Sequence, residues 1–139
     1  MDKIRDRWEA TLLQVVKQPF SGVERALVIV GSDRRGTAYG LMRISEQMGV
    51  SPWYWWADVP AQHHDTVAIK VSSPRVDAPG VRYRGIFIND EDWGLNSWAS
   101  KTFDPQFGNI GPKTYEKVFE LLLRLRLNYI CVTRLTAPV

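Results

Sequence analysis

The stretch VRYRGIFINDE, residues 81–91, decides how the second half of the chain folds. Residues 81–89 (VRYRGIFIN) read as a strand, with Ile86, Phe87 and Ile88 as its uninterrupted apolar run. Asn89, Asp90 and Glu91 follow at once. Residues 90–111, rich in Asp, Asn, Ser, Gly and aromatics, read as one long loop, a length that compact domains tend to keep for function. Pro112 then sits where a helix starts, because its missing N–H costs nothing in the first turn. Tyr115, Val118, Phe119, Leu122 and Leu125 recur at helical spacing and predict the buried face, running to about Leu127. Glu120 and Arg124 stand one turn apart as a favourable pair. Asn128 is expected to end this helix, and residues 129–133 read as a second strand. Strand, loop, helix, strand is a βαβ unit with parallel strands. Such a pair cannot cover both of its own faces, so further sequence is expected beyond Val139.

Upstream, residues 72–80 hold two prolines and a glycine and read as a linker. The expected organisation is a domain over 1–74, a connection over 75–82, and a second domain over 83–139. In the first, residues 1–19 leave two readings open. Ile4, Trp8, Thr11, Leu12 and Val15 fit a helix, whereas residues 11–16 also fit a strand. Residues 25–31 (RALVIVG) read as a buried strand. A helix is expected over about 37–48, with Ala38, Leu41, Met42, Ser45 and Met48 on its apolar face. Gly49 is placed for a left-handed C-cap. Gly36 and Gly40, one turn apart, allow close approach of another backbone. Residues 51–60 form a rigid aromatic connection, and residues 64–71 read as a strand.

The 139 residues carry a net charge of +3, with 45% hydrophobic and 24% charged residues, a globular balance. Basic residues are scattered and form no face for nucleic acid. No stretch reaches the roughly 18–20 apolar residues of a membrane span. The single Cys131 excludes an internal disulfide and a multi-cysteine zinc site, and reads as a small buried hydrophobe.

Asn89-Asp90-Glu91 is the strongest chemical signal. Polar residues directly after a buried parallel strand lie where barrel enzymes build active sites, and acidic groups there serve proton transfer. Asn, Asp and Glu also make good turns and caps. Residues 31–37 (GSDRRGT) join a strand to a helix and suggest an anion loop, but the spacing fits neither GxxxxGK[ST] nor GxGxxG. Capping of the helix by Ser32 or Asp33 is the alternative. Arg35 also suits a sugar carboxylate, which matches a guanidinium in geometry. His63 and His64 point to opposite sides of a strand and so read as an exposed pair, not metal ligands. Five of the six tryptophans fall between Trp53 and Trp98. Trp53, Trp55 and Trp56 read as interdomain packing, and Trp93 and Trp98, beside Asp90, as ligand contacts.

ALVIVGSDRRGTAYG (residues 26–40), SEQMGVSPWYWWADVP (45–60) and VRYRGIFINDE together resemble the xylan α-1,2-glucuronidases of glycoside hydrolase family 115, over about Trp8 to Ile130. The resemblance implies an α/β protein: most of an N-terminal α/β domain, then the first βαβ unit of a truncated (β/α)₈ catalytic barrel. It implies an inverting glycosidase that removes glucuronic acid, or its 4-O-methyl ether, from glucuronoxylan or aldouronic acid oligosaccharides. The two carboxyl groups of such an enzyme stand roughly 6.5 to 9.5 Å apart, to admit a water. Asp90 matches the family's acidic residue after the first barrel strand and is the implied catalytic carboxylate. Asn89, Glu91, Trp93 and Arg35 are the implied substrate contacts. The family pattern continues Trp-Pro-Ala-Met after Ile130, whereas this chain reads Cys131-Val-Thr-Arg, a departure that suggests a broken reading frame. No cofactor, metal, nucleic acid or membrane is implied. A secreted or periplasmic protein, homodimeric at full length and inactive as this piece alone, is. A carbohydrate-binding module using the tryptophans, or a small nucleotide-binding α/β domain using residues 31–37, are the competing readings.

Overall fold

The computed structural model describes residues 2–71, 75–89, 91 and 93–132. It falls into two compact units that divide between Arg82 and Tyr83.

The first unit is a three-stranded antiparallel sheet with one helix. Strands β1 (Thr11–Phe20) and β2 (Val23–Gly31) form a hairpin closed by Ser21 and Gly22, and β3 (Arg75–Asp77) pairs along the other edge of β1. The strand reading of residues 11–16 is therefore the one realised. β-Branched and leucine side chains suit the pleat, and alternation places successive residues on opposite faces. Leu12 shares one face with its partners Val30 and Val76, and there it packs with Ile4 and Ala10. The other face, at Thr11 and Ile29, receives helix α1 (Arg34–Gln47). β2 is not the fully buried strand expected from its composition. It is an edge strand of a hairpin, and Val23 and Leu27 stay about two-fifths exposed.

Helix α1 begins three residues earlier than expected. Asp33 is its N-cap, and its carboxylate accepts the Gly36 N–H at 2.8 Å. The helix ends as expected at Gly49, whose φ of 92° is a left-handed conformation that suits glycine. Its buried residues are Gly36, Tyr39 and Gly40, while Leu41 and Met48 are exposed. The contact face is thus set by the two glycines and not by the apolar stripe. A Cβ on Gly36 would lie 2.4 Å from the Ala10 carbonyl oxygen, and one on Gly40 2.5 Å from the Ile29 side chain. Only glycine permits that approach. Residues 64–71, read as a strand, are irregular. The Pro-bordered segment read as a connection instead contains β3, which is fastened to α1 by an ion pair between Arg43 and Asp77.

In the second unit, β4 (Gly85–Ile88) and β5 (Tyr129–Val132) pair in parallel, with helix α3 (Pro112–Arg124) between them in sequence, so the expected βαβ order is present. The strand starts are tied together. Asn128 Oδ1 accepts the Arg84 N–H at 3.0 Å, and the Asn128 N–H donates to the Arg84 carbonyl at 2.8 Å. Asn128, expected to stop the helix, therefore sets strand register. The helix stops at Leu125 with Arg126 left-handed at φ 57°, the Arg126 and Leu127 N–H groups returning to the carbonyls of Leu123 and Leu122. The Glu120–Arg124 pair forms at 2.9 Å. Thr114, Val118, Leu121 and Leu122 are the buried residues of α3, and Phe119 is half exposed, so the buried face is turned from the one predicted. The long loop is not structureless. It holds α2 (Leu95–Trp98), a π turn (Ala99–Phe103) and a 3₁₀ turn (Pro105–Phe107). Cys131 is half-buried on β5. No described helix is long and apolar enough to cross a membrane.

Candidate functional site

Gly85, Ile86, Phe87 and Ile88 pair with Tyr129, Ile130, Cys131 and Val132, so the carboxyl ends of β4 and β5 emerge side by side. Asn89 leaves the end of β4 directly. Ligands of parallel α/β sheets bind outside such carboxyl ends, where loops diverge from a fixed scaffold. Three of the residues singled out from the sequence meet there. The Glu91 carboxylate accepts the Trp93 indole N–H at 2.7 Å through one oxygen and the Asn89 side-chain amide at 3.4 Å through the other. The Trp93 backbone N–H donates to the Glu91 carbonyl at 2.7 Å. Trp93 is 73% exposed. The chemical content of this cluster is an ionisable carboxylate, an amide and an open aromatic face. Asp90, the implied catalytic carboxylate, lies outside the described residues. Trp98 stacks on Phe103 at 5.1 Å, so the second tryptophan of the loop serves local packing.

Arg35 belongs to the first unit. Its guanidinium donates to the Glu9 carboxylate at 3.2 Å, and the Glu9 side chain is only 5% exposed. Around it, residues 31–37 are committed to the start of β1. Asp33 accepts the Glu9 N–H at 2.7 Å, Ser32 Oγ accepts the Ala10 N–H at 2.9 Å, and the Thr11 hydroxyl donates to the Gly36 carbonyl. A carboxylate already caps the helix where an anion loop would place a phosphate, so this strand–helix turn carries the capping role. His63 and His64 are exposed, and no cluster of His, Cys, Asp or Glu suited to a metal is found among the described residues. Trp55 and Trp56 meet edge to face at 4.8 Å, with Trp53 partly exposed beside them.

The sequence reading missed Asp104. Its side chain is fully buried, and one carboxylate oxygen accepts both the backbone N–H and the hydroxyl of Thr114, each at 2.7 Å. Thr114 lies in the first turn of α3, so Asp104 caps that helix from a distance of ten residues. Burial opposes its ionisation. The Thr114 hydroxyl and N–H and the nearby Lys113 charge outweigh that and hold the carboxyl below its ordinary value. The signal available was an Asp in a Gly-rich loop ahead of a helix whose own N-cap, Gly111, has no side chain to offer.

Residues 76–138 match the family model described as Glycosyl hydrolase family 115. The match runs on past Ile130, where the sequence reading had the resemblance end. The fold is similar, at a TM-score of 0.82 and 44% identity, to a solved structure described as a novel family GH115 4-O-methyl-alpha-glucuronidase with specificity for decorated arabinogalactans. The likeness covers 95% of this chain and 17% of that one, so the chain spans about a sixth of that protein's length. No curated protein matches the chain.

Proposed function

We infer, from the chain's membership of glycosyl hydrolase family 115, that it forms part of an enzyme that hydrolyses a glucuronic acid, or its 4-O-methyl ether, off a glycan. The observation that carries this reading is the Asn89–Glu91–Trp93 cluster at the carboxyl end of a parallel strand, with Asp90 in its midst in sequence. In this reading β4, α3 and β5 are the first βαβ unit of a (β/α)₈ barrel. The half-exposed Phe87 and Tyr129 support it, because a parallel pair carries apolar side chains on both faces and the barrel's other strands would cover the open one.

Asp90 is the carboxylate of the cleavage step. Inversion needs one acid and one base: the acid gives its proton to the glycosidic oxygen as the bond to the anomeric carbon breaks, while the base takes a proton from the water attacking the opposite face. Neighbouring residues cannot supply both groups at the required separation, so Asp90 has one role and its partner comes from another strand. Asn89, which leaves the same strand end, is assigned to the sugar hydroxyls, with Glu91 beside it. The glycan is a glucuronoxylan or, as for the solved relative, a decorated arabinogalactan.

Asp90→Asn in a full-length enzyme carrying this segment tests the assignment. It preserves shape and removes the charge, so kcat should fall by at least about two decades, the scale of proton-transfer catalysis, with an unchanged thermal midpoint. Near-normal turnover with a lowered midpoint would mean that Asp90 is a turn residue.

A further inference from the structure

We propose that Trp93 is a stacking platform for a neutral sugar, the unit that bears the uronic acid, and that Glu91 is the positioning residue that holds its ring. The proposal rests on the reading of this site as a glycan site and names the part of the glycan that it takes.

Three observations lead to it. Trp93 is 73% exposed, although a ring of that size would ordinarily be drawn into a core. Its indole N–H is nevertheless satisfied within the chain, by the Glu91 carboxylate at 2.7 Å, and its backbone N–H donates to the Glu91 carbonyl, also at 2.7 Å. The ring is thus fixed along its polar edge while its faces stay open. A platform held in place before the ligand arrives loses little entropy on binding. The apolar C–H face of a pyranose fits such a ring, as bases and other flat or weakly polar surfaces do.

Charge selects which sugar. The group anchoring the ring is a carboxylate, that of Glu91. A uronate brought onto Trp93 would lie against like charge, which costs free energy. A neutral sugar pays no such cost. The Glu91 carboxylate, both oxygens of which accept hydrogen bonds from neighbours, is spent on orientation and not on the reacting atoms.

The test is a titration of the ¹⁵N-labelled chain, read from the indole N–H resonances of its tryptophans, with that of Trp93 identified by its loss in Trp93→Phe. Xylobiose and a galactobiose are the neutral probes and distinguish the two glycan sources. Glucuronic acid is the charged one. The Trp93 resonance should shift saturably with at least one neutral disaccharide and not with glucuronic acid at equal concentration. Glu91→Gln, which keeps an acceptor for the indole, should bind nearly as well, and Glu91→Ala about tenfold more weakly, the equivalent of one hydrogen bond to a charged group. A Trp93 shift as large with glucuronic acid, no shift with either disaccharide, or equal affinity in Glu91→Ala would overturn the proposal. Failure of the parent reading would show elsewhere, as retained turnover in Asp90→Asn.

Discussion

Asp104 and Asp33 are two carboxylates doing the same work, and only one of them can be found by reading along the chain. Asp33 stands next to its helix, three residues before the N–H it accepts, the spacing that defines an N-cap. Asp104 reaches Thr114 across ten residues, because the position beside α3 is the glycine Gly111, where a Cβ would come within 2.8 Å of Asp104 itself. Long-range capping leaves no periodic trace. Its consequence is measurable. The folded-state pKa of Asp104 is depressed below 3.8, so its contribution is fully present above the unfolded value and is lost as the pH falls through the lower folded one. Asp104→Asn should lower the thermal midpoint at neutral pH and flatten its decline as the pH falls below the ordinary carboxylate range and through the lower value at which the native carboxyl takes up its proton. An unchanged midpoint at neutral pH would remove the capping role. In the candidate site, the strand–polar-triplet pattern placed Asn89 and Glu91 at the end of β4 correctly. The coupling of Glu91 to Trp93 was not legible, since a side-chain hydrogen bond between them is not encoded in residue type.

Among the elements, those with strong periodicity or clear punctuation were legible: β2 between its turn and Gly31, α1 ending at Gly49, α3 starting at Pro112, and β5 after Asn128. The faces were less so. In α1 the apolar stripe Leu41–Met48 suggested one orientation, but the helix turns toward the sheet on Gly36 and Gly40, since close backbone approach offsets lost side-chain burial. β3 was hidden by the prolines around it. Three residues suffice for a strand only because β1 presents an edge and Arg43 holds Asp77. Residues 64–71 show the opposite error: alternating valine and isoleucine gave a strand pattern, but no strand pairs with them among the described residues. Gly36→Ala should destabilise the chain by about 1–3 kcal/mol, the cost of overpacking against a backbone oxygen that cannot move aside. Gly80→Ala, where no atom lies within 4 Å, should change stability by less than about 0.5 kcal/mol. Urea denaturation of the two variants checks the contrast, and equal effects would refute the close-approach account.

At the scale of the whole molecule, the two units differ in how well each is closed. The first has a central strand paired on both sides and apolar residues packed on its face at Leu12. The second has two four-residue strands and leaves Phe87 and Tyr129 half exposed. Amide exchange should therefore be slower in β1 than in β4 and β5, because opening free energy follows local burial. Uniform protection across both units would speak against an incompletely covered βαβ unit. Isolated, the 139 residues should release no glucuronic acid above a heat-killed control, since preorganised catalysis draws groups from several strands. The central claim, that this segment supplies a catalytic corner of a glucuronidase, is tested most directly by exchange. The segment should be placed in a full-length family enzyme in exchange for the corresponding residues, with and without Asp90→Asn, and the release of glucuronic acid from its glycan measured. The account predicts that the chimera hydrolyses its substrate and that the Asp90→Asn chimera is slower by at least about a hundredfold while melting at the same temperature. A folded chimera whose turnover is indifferent to Asp90 would contradict it.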